Sequence, residues 1–265
     1  MGWQDDELVK GKPKWESDPI VSVAPSTSAP APTAPMLDIR AGVPVPTLIA
    51  PSDNPFSAGR YPLGRIYTVG DEATVRQSDI LTGVEDRTFT LRVTRVEYET
   101  DRVELNDGES VRDLMGNAVK MGRTESNRPA EFNAPVQITP FEFHVGKKWT
   151  AIFSMTRDGV TSTGYYDLQI MQREFVNVPA GDFDTFRIEG AGWNNQYGSQ
   201  LRAKLWVVPA LNFTIKSERI VTFRGRRIDN ERQELVTLRQ QTVDTKCVPA
   251  IGGLHRTLTI KSNCT

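Results

Sequence analysis

His144 and His255 are the two histidines of a 265-residue chain that also holds two cysteines, Cys247 and Cys264. From these residue types general bases, nucleophiles and metal centres are built. Their spacing here supports none of them. His144 stands in "FEFHVGKKW", the setting of a half-buried strand histidine. Cys247, His255 and Cys264 would offer zinc three ligands without the paired spacing of structural sites. Asp182 and Asp184 alternate along one strand, but two carboxylates alone do not make an acid–base pair. "NDGE" at 106–109 falls far short of a calcium loop. No serine elbow, phosphate loop or dinucleotide glycine fingerprint occurs. The basic run "RGRRIDNER" carries Arg224, Arg226, Arg227 and Arg232, but Asp229 and Glu231 interrupt it, and it reads as a solvated hairpin. The expectation is a non-enzymatic protein with no catalytic residue, no metal and no cofactor.

The cysteines bracket "CVPAIGGLHRTLTIKSNC", with Gly252-Gly253 placed as a turn. Two readings stand. A Cys247–Cys264 disulfide would close this hairpin, contribute about 3 kcal/mol in the chain-entropy model and imply an oxidising compartment. Two free thiols would instead suit a cytoplasmic or virion protein.

A second chemistry is recognition. "WQDDELV" and "WESDPIV" repeat one phrase at a period of twelve residues: Trp3, Asp6, Leu8, then Trp15, Asp18, Ile20. Aromatics are normally depleted from segments that cannot pack a core. A large anchor beside an acidic residue and an aliphatic pair is a short recognition motif for a partner protein. The alternative is that the arm docks onto the following domain. Trp149, Tyr166, Trp193 and Trp206 are candidates to line a cavity for a lipid or other apolar ligand, or else to fill the core. "GAGWNNQYGSQ" puts Trp193 and Tyr197 either on a recognition rim or in an ordinary long hairpin loop.

These residues need elements to hold them. Basic and acidic side chains nearly cancel, 32 against 33, which argues against a nucleic-acid partner. No apolar run reaches the length of a transmembrane segment, and the first twenty residues lack the apolar core of a signal peptide. Residues 1–22 form the tryptophan arm. Residues 23–62 are rich in Pro, Ala and Ser and read as an extended spacer, with "MLDIRAGVPVPTLIAP" aliphatic enough to dock in part. From about residue 63 to 245 the period-two alternation of strands takes over. Phe89, Leu91 and Val93 share one face, and a phase slip near Thr94 predicts a bulge or a strand passing between two faces. Trp149, Ala151, Phe153 and Met155 share another face, as do Tyr166, Leu168 and Ile170. Asp107-Gly108 and Asp158-Gly159 are hairpin signals. Residues 246–265 are the cysteine-bounded hairpin. The fold class is all-β, a curved antiparallel sheet or a two-sheet sandwich or half-barrel.

The phrase "VNVPAGDFDTFRIEG", followed by "LRAKLWVVPALNFTIKSER" and "RQELVTLRQ", resembles the DUF3108-like bacterial β-domains. The matching positions are Val178, Pro179, Ala180, Gly181, Phe183, Asp184, Phe186, Arg187 and Ile188, then Trp206, Pro209, Ile215 and Lys216. The likeness spans roughly residues 61–242. It implies an envelope-associated, periplasmic domain of unassigned biochemistry that usually follows a signal or lipid anchor. The tryptophan repeat departs from that pattern. In its own right the phrase predicts a tight Pro-Ala-Gly turn, Phe186 and Ile188 inward, Arg187 and Glu189 outward, and Asp184 bracing the turn. The functional expectation is a structural or adaptor domain that binds a partner through its arm. A carrier of an apolar ligand and a phage virion component are the alternatives.

Overall fold

The computed structural model describes residues 36–46, 48, 60–241, 250–251 and 258–259. The chain runs β1 (Met36–Arg40), β2 (Tyr61–Pro62), β3 (Glu72–Asp79), β4 (Glu85–Glu97), β5 (Arg102–Leu105), β6 (Ser110–Arg112), β7 (Ala118–Met121), β8 (Ala130–Phe132) and β9 (Glu142–Phe143). The long strands follow: β10 (Lys148–Arg157), β11 (Val160–Val178), β12 (Gly181–Asn194), β13 (Ser199–Val208), β14 (Phe213–Phe223) and β15 (Arg226–Gln241). A 3-10 turn, Pro209–Leu211, separates β13 from β14. Two short strands, β16 (Ala250–Ile251) and β17 (Leu258–Thr259), pair with each other within the segment bounded by the cysteines.

Among the described residues every ladder is antiparallel, and the sheet closes on itself. Strands β3 to β8 and β10 to β15 follow one another in order, and β15 then pairs with β3 from Glu231↔Asp79 to Arg239↔Glu72. The result is a twelve-stranded barrel where a curved sheet, sandwich or half-barrel was expected. Closure follows from the length of β15, which is sixteen residues. It pairs with β14 over Arg226–Glu234 and with β3 over Glu231–Arg239, so the two ends of the sheet are joined edge to edge.

Local chemistry explains the corners. Asp158-Gly159 and Arg224-Gly225 both take positive φ and make the two-residue turns that match strand twist. The predicted bulge is present, as a register shift between Val93 and Arg95. The aliphatic part of the spacer does dock, as β1, which pairs with β15 over Thr237–Gln241.

A ring this wide is not filled by inward side chains alone, as an eight-stranded one is. Here other parts of the chain join the core. The β11–β12 hairpin shifts register between Ile170 and Gln172, and its tip folds back on β15. The Ala180 N–H donates to the Leu235 carbonyl, 3.1 Å away. That carbonyl lies in the gap between the end of the β14 ladder at Glu234 and the start of the β1 ladder at Thr237. Val178, Ala180 and Phe183 are buried in the main core cluster, together with Val136 and Phe143 from the stretch before β10. Phe186 and Ile188 face inward as expected and are fully buried. Asp184 does not brace the turn. It accepts two hydrogen bonds from the Arg173 guanidinium, one of them 2.7 Å from Nε. The same guanidinium lies over the Tyr61 ring, and that ring packs on Phe186.

Candidate functional site

Antiparallel register assigns each side chain to the inside or the outside of the barrel, because residues directly opposite share a face. One inward row runs Trp149, Leu168, Gly190, Ala203, Arg219, Glu231. The row beside it runs Ala151, Tyr166, Gly192, Leu201, Val221, Asp229. Both rows are apolar on β10 to β13; the first turns charged at Arg219 on β14 and Glu231 on β15, the second only at Asp229 on β15.

Arg219 is the centre of the charged part. Its Nη2 lies 2.9 Å from Asp229 Oδ2 and 3.0 Å from Glu231 Oε1. Its Nε is buried without a hydrogen-bond partner among the described residues. Burial raises the Glu231 carboxyl above its ordinary range, even though Arg219 opposes this. Burial also raises the Tyr166 phenol, with Arg219 pulling the other way. Arg157, at the inward end of β10, donates to the carbonyls of Pro129 and Arg128 at 3.3 and 3.2 Å. Its guanidinium is depressed by burial and then by the charges of Arg219 and Arg128. One row deeper, Gln77 is buried and accepts from Arg87 at 3.0 Å and from Gln233 at 3.3 Å. By connectivity the turns β3–β4, β10–β11, β12–β13 and β14–β15 all lie at one end of the barrel, and the charged cluster belongs to that half. The opposite end holds the aromatic stack of Tyr61, Phe143 and Phe186.

The outer face carries a different feature. Ile152, Tyr165 and Trp193 stand directly opposite one another across β10, β11 and β12. Ile152 is 78% exposed, Tyr165 is 37% exposed, and Trp193 is partly exposed. Polar pairs border the row: Thr150 donates to Asp167 at 2.7 Å, and Asn195 donates to Thr163 at 3.3 Å. An exposed apolar row with a polar rim has the anatomy of a contact surface.

The four aromatic residues proposed to line one cavity are not brought together. Trp149 and Tyr166 face inward, and the Trp149 indole donates to the Gln137 carbonyl at 2.8 Å. Trp193 and Trp206 face outward. Trp206 is nonetheless buried, roofed by Lys216 with Nζ 5.1 Å from the ring centre, and its indole donates to Glu174 at 2.8 Å. A cavity of about 20 Å³, lined in part by Asp71, Arg112, Leu91 and Gln240, is the size of one water. It is far smaller than the pockets that take drug-sized ligands.

Other expectations resolve simply. His144 is half-buried, with Nδ1 3.4 Å from the Val145 carbonyl. Asn106 bonds to the main chain of β4 at Thr90 and Arg92, and Glu109 accepts from the Thr124 N–H. Asp182 pairs with Asn177 and Asp184 with Arg173, so they do not form a dyad. Among the described residues no group of His, Cys, Asp or Glu is placed to hold a metal, and no helix is long and apolar enough to cross a membrane. Trp3, Asp6, Leu8, Trp15, Asp18, Ile20, Cys247 and Cys264 lie outside the described residues. Sequence reasoning missed the inward charges. "DNERQEL" puts Asp229, Glu231, Gln233 and Leu235 on one parity, so the polar residues share the face of a core leucine.

No protein-family profile matches this sequence, and no curated protein matches it. Among solved structures it is similar to a hypothetical lipoprotein, YmcC, from Escherichia coli, with 12% identity over 62% of this chain and 83% of that one, at a TM-score of 0.41. It is similar too to a protein from Bacteroides fragilis described as exported and YmcC-like in fold, with 14% identity over 67% and 99% of the two chains, TM-score 0.39. A third is a protein from Parabacteroides distasonis described as a lipoprotein, with 10% identity over 67% and 98%, TM-score 0.38.

Proposed function

We propose that this chain is a non-enzymatic structural or adaptor module of the bacterial envelope that binds a partner protein. The observation that supports it is the exposed row of Ile152, Tyr165 and Trp193 on the outside of the barrel. A soluble protein normally scatters its exposed apolar residues, whereas contact surfaces align them. The tryptophan phrases of residues 1–22 supply a second contact, and two contacts on one chain raise each other's effective concentration. The DUF3108-like phrase supports the envelope as the compartment.

Comparative capture tests this reading. The parent, Ile152→Glu, and a chain lacking residues 1–22 are each used to recover bound proteins from cells of the source organism. The expected result is one partner recovered by the parent and reduced by both changes, with thermal stability unaltered. Equal recovery by all three would sink the proposal. Fractionation of the partner with cytoplasmic proteins or with virions would remove the envelope assignment.

A further inference from the structure

We propose that one end of the barrel docks on an anionic lipid bilayer. The β3–β4 and β14–β15 turns seat Leu81, Val84 and Ile228 below the lipid phosphates, and the arginines around them contact those phosphates. The outer row of Ile152, Tyr165 and Trp193 plays no part in this contact, so the inference stands apart from the proposed function.

Register and hydrogen bonds hold the two turns side by side. The β15–β3 ladder ends at Glu231↔Asp79. Just beyond it the Ile80 N–H donates to the Asn230 carbonyl at 3.2 Å, and Asn230 Nδ2 donates to Asp79 at 3.0 Å. Asp79 also accepts from the N–H groups of Leu81 and Thr82, which fixes the shape of the β3–β4 turn. On that turn Leu81 is 67% and Val84 62% exposed, and Ile228 on the neighbouring hairpin is exposed too. The β7–β8 connection lies across the same end. Its Arg123 carbonyl accepts from Arg87 at 2.9 Å, its Glu125 carbonyl from the inward Gln233 at 3.3 Å, and its Arg128 carbonyl from Arg157 at 3.2 Å. Three connections therefore share one surface.

Charge on that surface suits an anionic partner. Arg224, Arg226 and Arg227 on the β14–β15 hairpin are exposed, as are Arg123 and Arg128 on the β7–β8 connection. Among the described residues none of these forms an ion pair. At the opposite end of the barrel, by contrast, Arg95 pairs with Glu97 and Arg102 with Glu104. Glu85 and Asp86, at the start of β4, are the exposed acids beside the turns, so cations outnumber them. Each basic side chain near an anionic membrane adds attraction, and each aliphatic side chain lowered past the headgroups adds burial. Hot spots for proteins favour aromatic anchors held in pockets. Here aliphatic tips stand on protruding turns with guanidiniums around them, which matches the layering of a bilayer, apolar beneath phosphate.

Co-sedimentation with vesicles tests the surface, using phosphatidylcholine alone and an equal mixture of phosphatidylcholine and phosphatidylglycerol. The parent should bind the mixed vesicles well and the neutral ones poorly. The double change Arg226→Gln with Arg227→Gln should weaken binding about tenfold or more. Leu81→Ser, which alters no charge, should weaken it about fivefold. Arg202→Gln on the outer face of β13, and Phe175→Ser, which removes an apolar side chain 78% exposed elsewhere on the barrel, should leave it unchanged. On the unaltered protein, mixed vesicles should slow hydrogen exchange at residues 80–84 and 224–228 and not at 97–102, at the opposite end, which removes any dependence on variant folding. No binding by the parent, equal binding to both vesicles, equal weakening by Phe175→Ser or Arg202→Gln, or protection at 97–102 instead would overturn the inference. Protection of the same turns by a membrane-free extract and not by vesicles would assign this end to a protein and overturn it as well.

Discussion

Arg219 and Glu231 stand directly opposite each other in the β14–β15 ladder, with Nη2 and Oε1 3.0 Å apart on the face that turns into the barrel. Burial keeps the Glu231 carboxyl raised despite that contact. An acid raised in the folded state contributes stability that is complete below its unfolded value and is lost as pH rises through its folded value. Glu231→Gln fixes the uncharged form. Chemical denaturation of parent and variant between about pH 4 and pH 7, starting near the ordinary glutamate value, should show the difference moving in favour of the variant as pH rises. A difference that is flat or runs the other way contradicts the placement.

The same pair shows what sequence could and could not reveal. Alternation located β10 to β15 and their inward apolar residues, and Asp158-Gly159 marked its turn correctly. Alternation says nothing about which distant strands meet. The β15–β3 ladder joins residues about 150 to 170 positions apart, and ring closure was missed for that reason. Trp206 was judged by its side chain, whereas alternation from the inward Leu205, opposite Ile188, already turns it outward. Asp229 and Glu231 were judged by charge, though their parity with Leu235 already pointed inward.

Trp206 is buried on the outside of the ring by its charged neighbours, not by the core. Trp206→Ala should therefore cost about 2–3 kcal/mol, less than most core tryptophan truncations, because long side chains can close over the gap. Trp206→Phe should cost about 1 kcal/mol, the loss of one hydrogen bond to a carboxylate that Arg187 still contacts at 3.3 Å. Urea unfolding measures both. A cost above about 4 kcal/mol for Trp206→Ala would mean that the ring is part of the interior.

Gly192 sits where β11 and β12 approach closely. A Cβ there would meet the Tyr165 carbonyl oxygen at 1.8 Å, which is backbone and cannot swing aside. Gly192→Ala should destabilise the barrel by several kcal/mol and disturb the adjacent Tyr165–Trp193 pair. Gly159→Ala meets no atom and should cost only about 1 kcal/mol, for its positive φ. Thermal melting of the two variants reads the contrast, and equal losses would refute the close approach.

At the aromatic end, Arg173 joins Asp184 and Tyr61, donating to the tyrosine oxygen at 3.1 Å. Arg173→Gln should cost about 3 kcal/mol, because Asp184 loses its main partner in a site shielded from water. Tyr61→Phe should cost about 1 kcal/mol. The double variant should cost less than the sum, since both changes remove one shared contact. Strict additivity would show that the tyrosine hydroxyl is not engaged.

The binding role of the outer row is tested most directly by crosslinking in living cells of the source organism. A photoreactive benzoylphenylalanine is placed in turn at Ile152, on the exposed row, and at Lys204, on the outer face of β13 away from it. The proposal predicts one discrete adduct with another protein from position 152, absent from position 204 and reduced when Trp193 is changed to Arg. No adduct at 152, or the same adducts at both positions, would contradict it.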